Sequence, residues 1–304
     1  MEAVYHRVGR CFDFDAWDVC TKVITEALVH GIEYAEDGHW GYTIFNGPAT
    51  WSLVAPPNSG RRQSPIDIHP AEAVYDETLA GALTWSYTPE NAQTVSNNGH
   101  SAVVSFDSAG SSLTGGPLAD DEYHLAQFHL HWGLTDESGS EHRVDGRMYA
   151  AELHMVHFNS KYGSLPEAAD KPDGLSVLGF FIEAGDEENA ALKPVTDLLS
   201  QIKHKGDSVA IEGGFDPVSF MPADTSKYWT YLGSLTTPPL FESVTWFVFK
   251  NPIKASENQL ESLRALMESA AGEPEHHNEF HGHIVENYRP PQPLSGRTVR
   301  ASFQ

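Results

Sequence analysis

Gln127-Phe128-His129-Leu130-His131-Trp132-Gly133, then Gly139-Ser140-Glu141-His142, then Ala150-Ala151-Glu152-Leu153-His154-Met155-Val156-His157, is the stretch around which the chain is organised. Successive side chains of a β-strand point to opposite faces, so Gln127, His129 and His131 project from one side and Phe128, Leu130 and Trp132 from the other. The polar turn from Asp136 to Gly139 returns the chain, and the second run puts Glu152, His154 and Val156 on one face of another strand. If the two strands are neighbours, three imidazoles meet at one spot.

Three neutral imidazoles with an open fourth position are what a catalytic Zn²⁺ takes, whereas a structural zinc site is usually closed by four protein ligands, often thiolates. Cys11 and Cys20 are the only cysteines and lie far from this stretch, which excludes a thiolate site. A metal-bound histidine also needs its second ring nitrogen held. Gln127 and Glu152 each stand two residues before a ligand on the same strand face, suited to hold His129 and His154. His131 needs a backbone carbonyl that local sequence does not locate. A lone histidine on an apolar strand is more often a satisfied core residue than a ligand, so spacing alone leaves a metal centre and buried structural histidines both open.

Taken together, these three motifs resemble the zinc-binding core of the alpha-class carbonic anhydrases. The resemblance begins at His39-Trp40-Gly41-Tyr42 and Asn46-Gly47-Pro48 and includes Arg61-Arg62-Gln63-Ser64-Pro65-Ile66-Asp67-Ile68. It runs on to Asn287-Tyr288-Arg289-Pro290-Pro291-Gln292 and Arg300-Ala301-Ser302-Phe303. It implies a β-dominated α+β fold: a single domain with a large, mostly antiparallel twisted sheet, peripheral short helices and a conical zinc cavity. It also implies one Zn²⁺ per chain, held by His129, His131 and His154, and reversible hydration of CO₂ to bicarbonate and a proton by zinc-hydroxide attack. Weak esterase side activity and inhibition by sulfonamides and anions are further expectations.

The same resemblance assigns the remaining site residues. In Leu235-Thr236-Thr237-Pro238-Pro239, Thr236 is the hydroxyl that orients the nucleophile, with Glu141 as its acceptor. Val156, Val177, Leu235, Thr237, Val244 and Trp246 line the substrate pocket. His100, in Asn97-Asn98-Gly99-His100, matches the proton shuttle, a role that calls for a group titrating near neutrality, and Tyr42 and Asn98 match residues that order the intervening water. Val103 departs from the pattern, where a polar residue often stands. His142 and His157 match buried structural histidines. Two rivals are weighed against this reading. A non-catalytic carbonic-anhydrase-related module would lack one or more zinc histidines, and all three are present; a zinc hydrolase of the His-Glu-x-x-His kind has no such motif here.

The formal net charge of −23 and pI near 4.9 argue against nucleic acid or an anionic membrane surface as partner. No apolar run approaches the roughly 18 residues of a membrane span, and the start lacks the basic-then-apolar pattern of a secretory signal. Secreted members of the resembled family commonly carry a disulfide whose neighbourhoods here hold Gly60 and Leu240. A cytoplasmic, reducing setting is therefore expected, with free cysteines and a monomer as the favoured states.

The chain divides into an N-terminal extension, 1–38, and a catalytic domain, 39–304. In the extension, Trp17, Cys20, Val23, Ile24, Ala27 and Leu28 fall at helical spacing between Asp15 as N-cap and Gly31 as stop. In the domain, short β-rich runs are expected at 82–87, 94–96, 101–107, 123–132, 148–158, 176–183 and 245–250. Helices are expected at 190–203 and at 256–270, the second opened by a capping box of Ser256 and Gln259. His276, His277, His281 and His283 lie among loop residues and read as solvated loop.

Overall fold

The structure is a computed structural model that describes residues 39–55, 60–273 and 278–304. The expected helix within 1–38, both cysteines, and His276 and His277 lie outside the described residues. Strands dominate the domain, as expected. In chain order they are β1 (Asp67–Ile68), β2 (Val74–Tyr75), β3 (Thr84–Ser86), β4 (Ala92–Asn97), β5 (Ala102–Phe106), β6 (Ser112–Thr114) and β7 (Tyr123–Trp132). There follow β8 (Arg143–Val144), β9 (Ala151–Asn159), β10 (Leu175–Gly185), β11 (Ser208–Ala210), β12 (Tyr228–Gly233), β13 (Val244–Ser256) and β14 (Arg300–Ala301).

One sheet of 12 strands runs β11-β4-β5-β7-β9-β10-β13-β12-β14-β2, with β3 and β6 attached beside β7. It is mostly antiparallel; β10 pairs β13, and β14 pairs β2, in parallel. β1 and β8 form a separate parallel pair. Apolar side chains cover both faces of the large sheet. Phe128, Leu130, Leu153, Met155, Phe180 and Phe247 belong to one core cluster, and Val156, Phe158, Val177, Phe181, Trp246 and Val248 to the other. This two-sided cover explains why β9 is buried at every position instead of alternating between core and solvent.

The structure corrects several boundaries. β13 continues past Lys250 to Ser256 through Asn251-Pro252, which reads as a strand stop. The register with β10 shifts there, Phe180 facing Phe249 and Ile182 facing Ile253, so Pro252 sits in an irregularity where no ladder hydrogen bond is required of it. The helix expected over 190–203 is instead two short turns, an α-turn at Lys193–Thr196 and a 3₁₀ turn at Leu199–Ile202. Pro194 is the reason: inside a helix begun at Ala190 its ring would meet the Ala190 carbonyl, but it is tolerated in a first turn. Leu192, Val195, Leu199 and Ile202 still reach the core. The expected capping box is present, Ser256 accepting from Gln259 N and Gln259 accepting from Ser256 N. That helix, Glu257–Arg264, ends short of residue 270 because Leu266 and Met267 are taken into pairing with Ile284 and Lys203.

Candidate metal centre

β7 and β9 are antiparallel neighbours, and their register sets His129 opposite His154 and His131 opposite Glu152. The irregularity between Leu125 and Gln127 lies upstream and leaves the alternation of Gln127, His129 and His131 intact. The three rings sit with centroids 4.7 to 5.3 Å apart, and one ligand atom from each lies within 4.8 Å of the others.

The second nitrogen of each ring is held. His129 Nδ1 is 3.0 Å from Gln127 Oε1, His154 Nε2 is 2.8 Å from Glu152 Oε1, and His131 Nδ1 is 2.7 Å from the Asn287 carbonyl. The nitrogens left facing one another are therefore His129 Nε2, His131 Nε2 and His154 Nδ1. His131 Nε2 is buried with no hydrogen-bond partner. A buried ring nitrogen without a partner is costly, and a cation shared by the three would satisfy it. Burial lowers all three pKa values, to about 3 for His131, so the rings are neutral, the form that coordinates a metal. His131 and His154 are buried while His129 is partly exposed, so the cluster reaches solvent on the His129 side.

Glu152 does more than its sequence position indicates. Oε1 accepts from His154 and, at 2.7 Å, from His142 Nδ1; Oε2 accepts the backbone N–H groups of Glu141 and His142 at 2.9 and 2.8 Å. These bonds occupy the lone-pair positions of a carboxylate. Burial opposes its charge, but His142 and His154 outweigh that and hold its pKa well below the usual carboxylate range. Gly179 on β10 faces His154; a Cβ there would come within 3.2 Å of Glu152 Oε1, so glycine leaves room for the carboxylate.

Glu141 is fully buried, its Oε2 3.5 Å from His131 Nε2 and its Oε1 accepting from the Arg289 backbone N–H at 2.8 Å. Burial drives its pKa well up, while the neighbouring Thr236 and the Arg289 N–H favour its charged form, and its Oε2 is buried with no hydrogen-bond partner. Thr236 is buried near Glu141, and Thr237 follows half-buried. Val156, Val177, Val244 and Trp246 join one core cluster on the histidine face of the sheet, and Leu235 packs against it.

His100 lies in the turn between β4 and β5, where Asn98 Oδ1 accepts the His100 and Ser101 N–H groups, both at 2.8 Å. Its ring stacks on Trp40 at 3.9 Å and 10°. In that position burial, then Lys205 and His39, push its pKa down to about 4, away from the near-neutral value the resemblance implies. Tyr42 is buried close enough to feel the Glu141 charge, Asn98 is exposed, and Val103 faces His129 across β5 and β7. His142 and His157 are structural. His142 Nε2 meets Tyr231 Oη at 2.7 Å, and His157 meets Tyr87 Oη at 2.8 Å and the Met155 carbonyl at 3.2 Å.

Sequence reading missed Asn287 and Arg289 as site residues. Asn287 holds His131 through its carbonyl, accepts Trp132 N–H at 2.7 Å, and donates to the His100 carbonyl at 2.9 Å, tying the ligand strand to the His100 turn. Arg289 donates to Gln63 Oε1 and the Ser64 carbonyl, both at 2.8 Å. No local pattern signals either role.

The sequence model for the eukaryotic-type carbonic anhydrases matches residues 46–303. Carbonic anhydrase 1 of Mus musculus is 49% identical over 267 residues, 87% of this chain and 98% of that relative. Carbonic anhydrase 1 of Monodelphis domestica is 46% identical over 269 residues, 88% of this chain and 98% of that relative.

Proposed function

We propose that this chain, which belongs to the eukaryotic-type carbonic anhydrase family, is a zinc-dependent lyase that reversibly hydrates CO₂ to bicarbonate and a proton. One observation carries the reading: three buried or half-buried imidazoles converge with one nitrogen each, while every second nitrogen is held by Gln127, Glu152 or Asn287. An all-nitrogen set of three suits zinc with a position left over for chemistry. When bound, zinc supplies Lewis acidity that makes a water molecule ionise near neutral pH.

The chain's own residues do the rest. Thr236, placed near Glu141, is suited to direct its hydroxyl proton at the carboxylate and leave its oxygen to accept from the nucleophile, which would fix the nucleophile's orientation. Val156, Val177, Leu235, Val244 and Trp246 give an apolar wall that suits a small apolar substrate, with Thr237 at its polar margin. His100 carries the product proton outward, with Tyr42 and Asn98 ordering water between. Titration near neutrality requires the His100 ring to leave the Trp40 face, because the stacked position depresses its basicity.

No helix among the described residues is long and apolar enough to cross a membrane. A cytoplasmic setting for the enzyme is supported by Gly60 and Leu240 in place of a disulfide. The test is zinc content measured beside CO₂ hydration on the full chain. Stoichiometric zinc with hydration abolished by a primary sulfonamide is expected; bound zinc without hydration would overturn the reading.

A further inference from the structure

A continuous chain of hydrogen bonds leaves the candidate metal centre and ends at Ser234, on the loop that carries Thr236. From Glu152, which holds His154, it passes to His142 Nδ1 at 2.7 Å, and from His142 Nε2 to Tyr231 Oη at 2.7 Å. Tyr231 Oη lies 2.8 Å from Ser64 Oγ. Ser64 and Ser234 then grip each other twice: Ser64 N donates to Ser234 Oγ at 2.9 Å, and Ser234 N donates to Ser64 Oγ at 3.0 Å. Ser234 is two residues before Thr236, and its carbonyl accepts from Trp246 Nε1 at 3.1 Å. Tyr231, His142, Ser64 and Ser234 are all buried, so water cannot substitute for a missing partner without opening the core.

We infer that Tyr231, bridging His142 and Ser64, is a positioning residue that locks the ligand strand β9 to the loop carrying Thr236. Its phenol has one hydrogen and two partners, so it donates to one and accepts from the other, and both ends of the chain depend on one oxygen. The ring is held separately, edge-on to His142 at 5.7 Å and parallel to Trp246 at 6.5 Å. Removing the hydroxyl therefore leaves packing in place and cuts only the bridge. The metal side then loses the orientation of His142, which shares Glu152 Oε1 with His154. The loop side loses the strut that sets Ser234 and, through it, Thr236.

The inference rests on the zinc reading above, and the test separates the two. Tyr231→Phe, Ser64→Ala and the double variant are compared with wild type for zinc affinity, by competition with a chromophoric chelator, and for benzenesulfonamide affinity at saturating zinc. Each single variant is expected to weaken both by about 3- to 10-fold, less than the 10- to 100-fold usual for a residue bonded directly to a ligand. The double variant is expected to lose less than the two single losses combined, because both remove the Tyr231 to Ser64 bond, while Ser64→Ala also removes the acceptor of Ser234 N and Tyr231→Phe the partner of His142. Variants that lose thermal stability but keep both affinities within about twofold would make Tyr231 merely structural and overturn the inference, as would additive losses. Wild-type protein that bound no zinc would overturn the metal reading and this inference with it.

Discussion

The two faces of β9 carry histidines three residues apart that share almost every property. His154 and His157 are both buried, and burial lowers the pKa of each. They differ in one nitrogen. His157 has both nitrogens bonded, to Tyr87 and to the Met155 carbonyl, whereas only Nε2 of His154 is bonded, its Nδ1 turned towards two other imidazoles. Burial and depressed basicity therefore do not mark a ligand; a second-nitrogen partner combined with a convergent free nitrogen does.

The first way to break this contrast is at His154. His154→Ala should abolish stoichiometric zinc and hydration together while circular dichroism stays near wild type, since the flanking strands are held by core packing on both faces. Normal zinc content in that variant would erase the distinction between the faces. Thr236→Ala comes next. It should keep zinc and slow hydration by about 100-fold, the scale of a lost orienting or proton-managing group; unchanged kinetics would remove the Glu141 to Thr236 contact from the mechanism.

Glu152→Gln sharpens the comparison, because the amide can accept fewer of the bonds the carboxylate takes. Zinc affinity should drop by about 10- to 100-fold, and stability should fall as well, since an amide nitrogen would face buried N–H donors. Chelator competition and urea unfolding measure the two effects; weaker zinc binding with full stability would mean that the bonds to Glu141 and His142 are incidental. His100→Ala lies outside both faces and should lower kcat several-fold at nearly constant kcat/KM, with imidazole restoring turnover, because kcat/KM reports attack and kcat includes proton release. A parallel fall of both parameters would place His100 in the architecture of the site.

The smallest effect on catalysis belongs to His157. His157→Leu should leave zinc and turnover untouched and cost about 1–3 kcal/mol through the stranded Tyr87 hydroxyl. The wild-type residue has a folded pKa of about 3 against an ordinary 6.5. The unfolded chain thus binds a proton below pH 6.5 that the native state refuses, and His157 contributes stability that is complete above pH 6.5 and lost as pH falls towards 3, by up to about 1.4 kcal/mol per pH unit. The variant should lose stability less steeply across that window in pH-dependent urea unfolding. An identical slope in both proteins would contradict the buried, neutral assignment.

What the sequence by itself determined is whatever depends on backbone period and near neighbours. The two-residue repeat of a strand put Gln127, His129 and His131 on one face and Glu152, His154 and Val156 on another, and the Ser256–Gln259 capping box was legible because its partners are three residues apart. Proline chemistry was legible in principle at Pro194, yet apolar spacing concealed it, since Leu192, Val195, Leu199 and Ile202 face the core in either conformation. Tertiary structure alone decided which nitrogen of each histidine is free. It also supplied the Asn287 carbonyl behind His131, 156 residues along the chain, and the Tyr231 to Ser64 bridge across 167 residues. These partners meet because packing both faces of a 12-stranded sheet forces distant segments together. A buried polar atom then takes whatever donor or acceptor the packing delivers, and no local spacing encodes that choice.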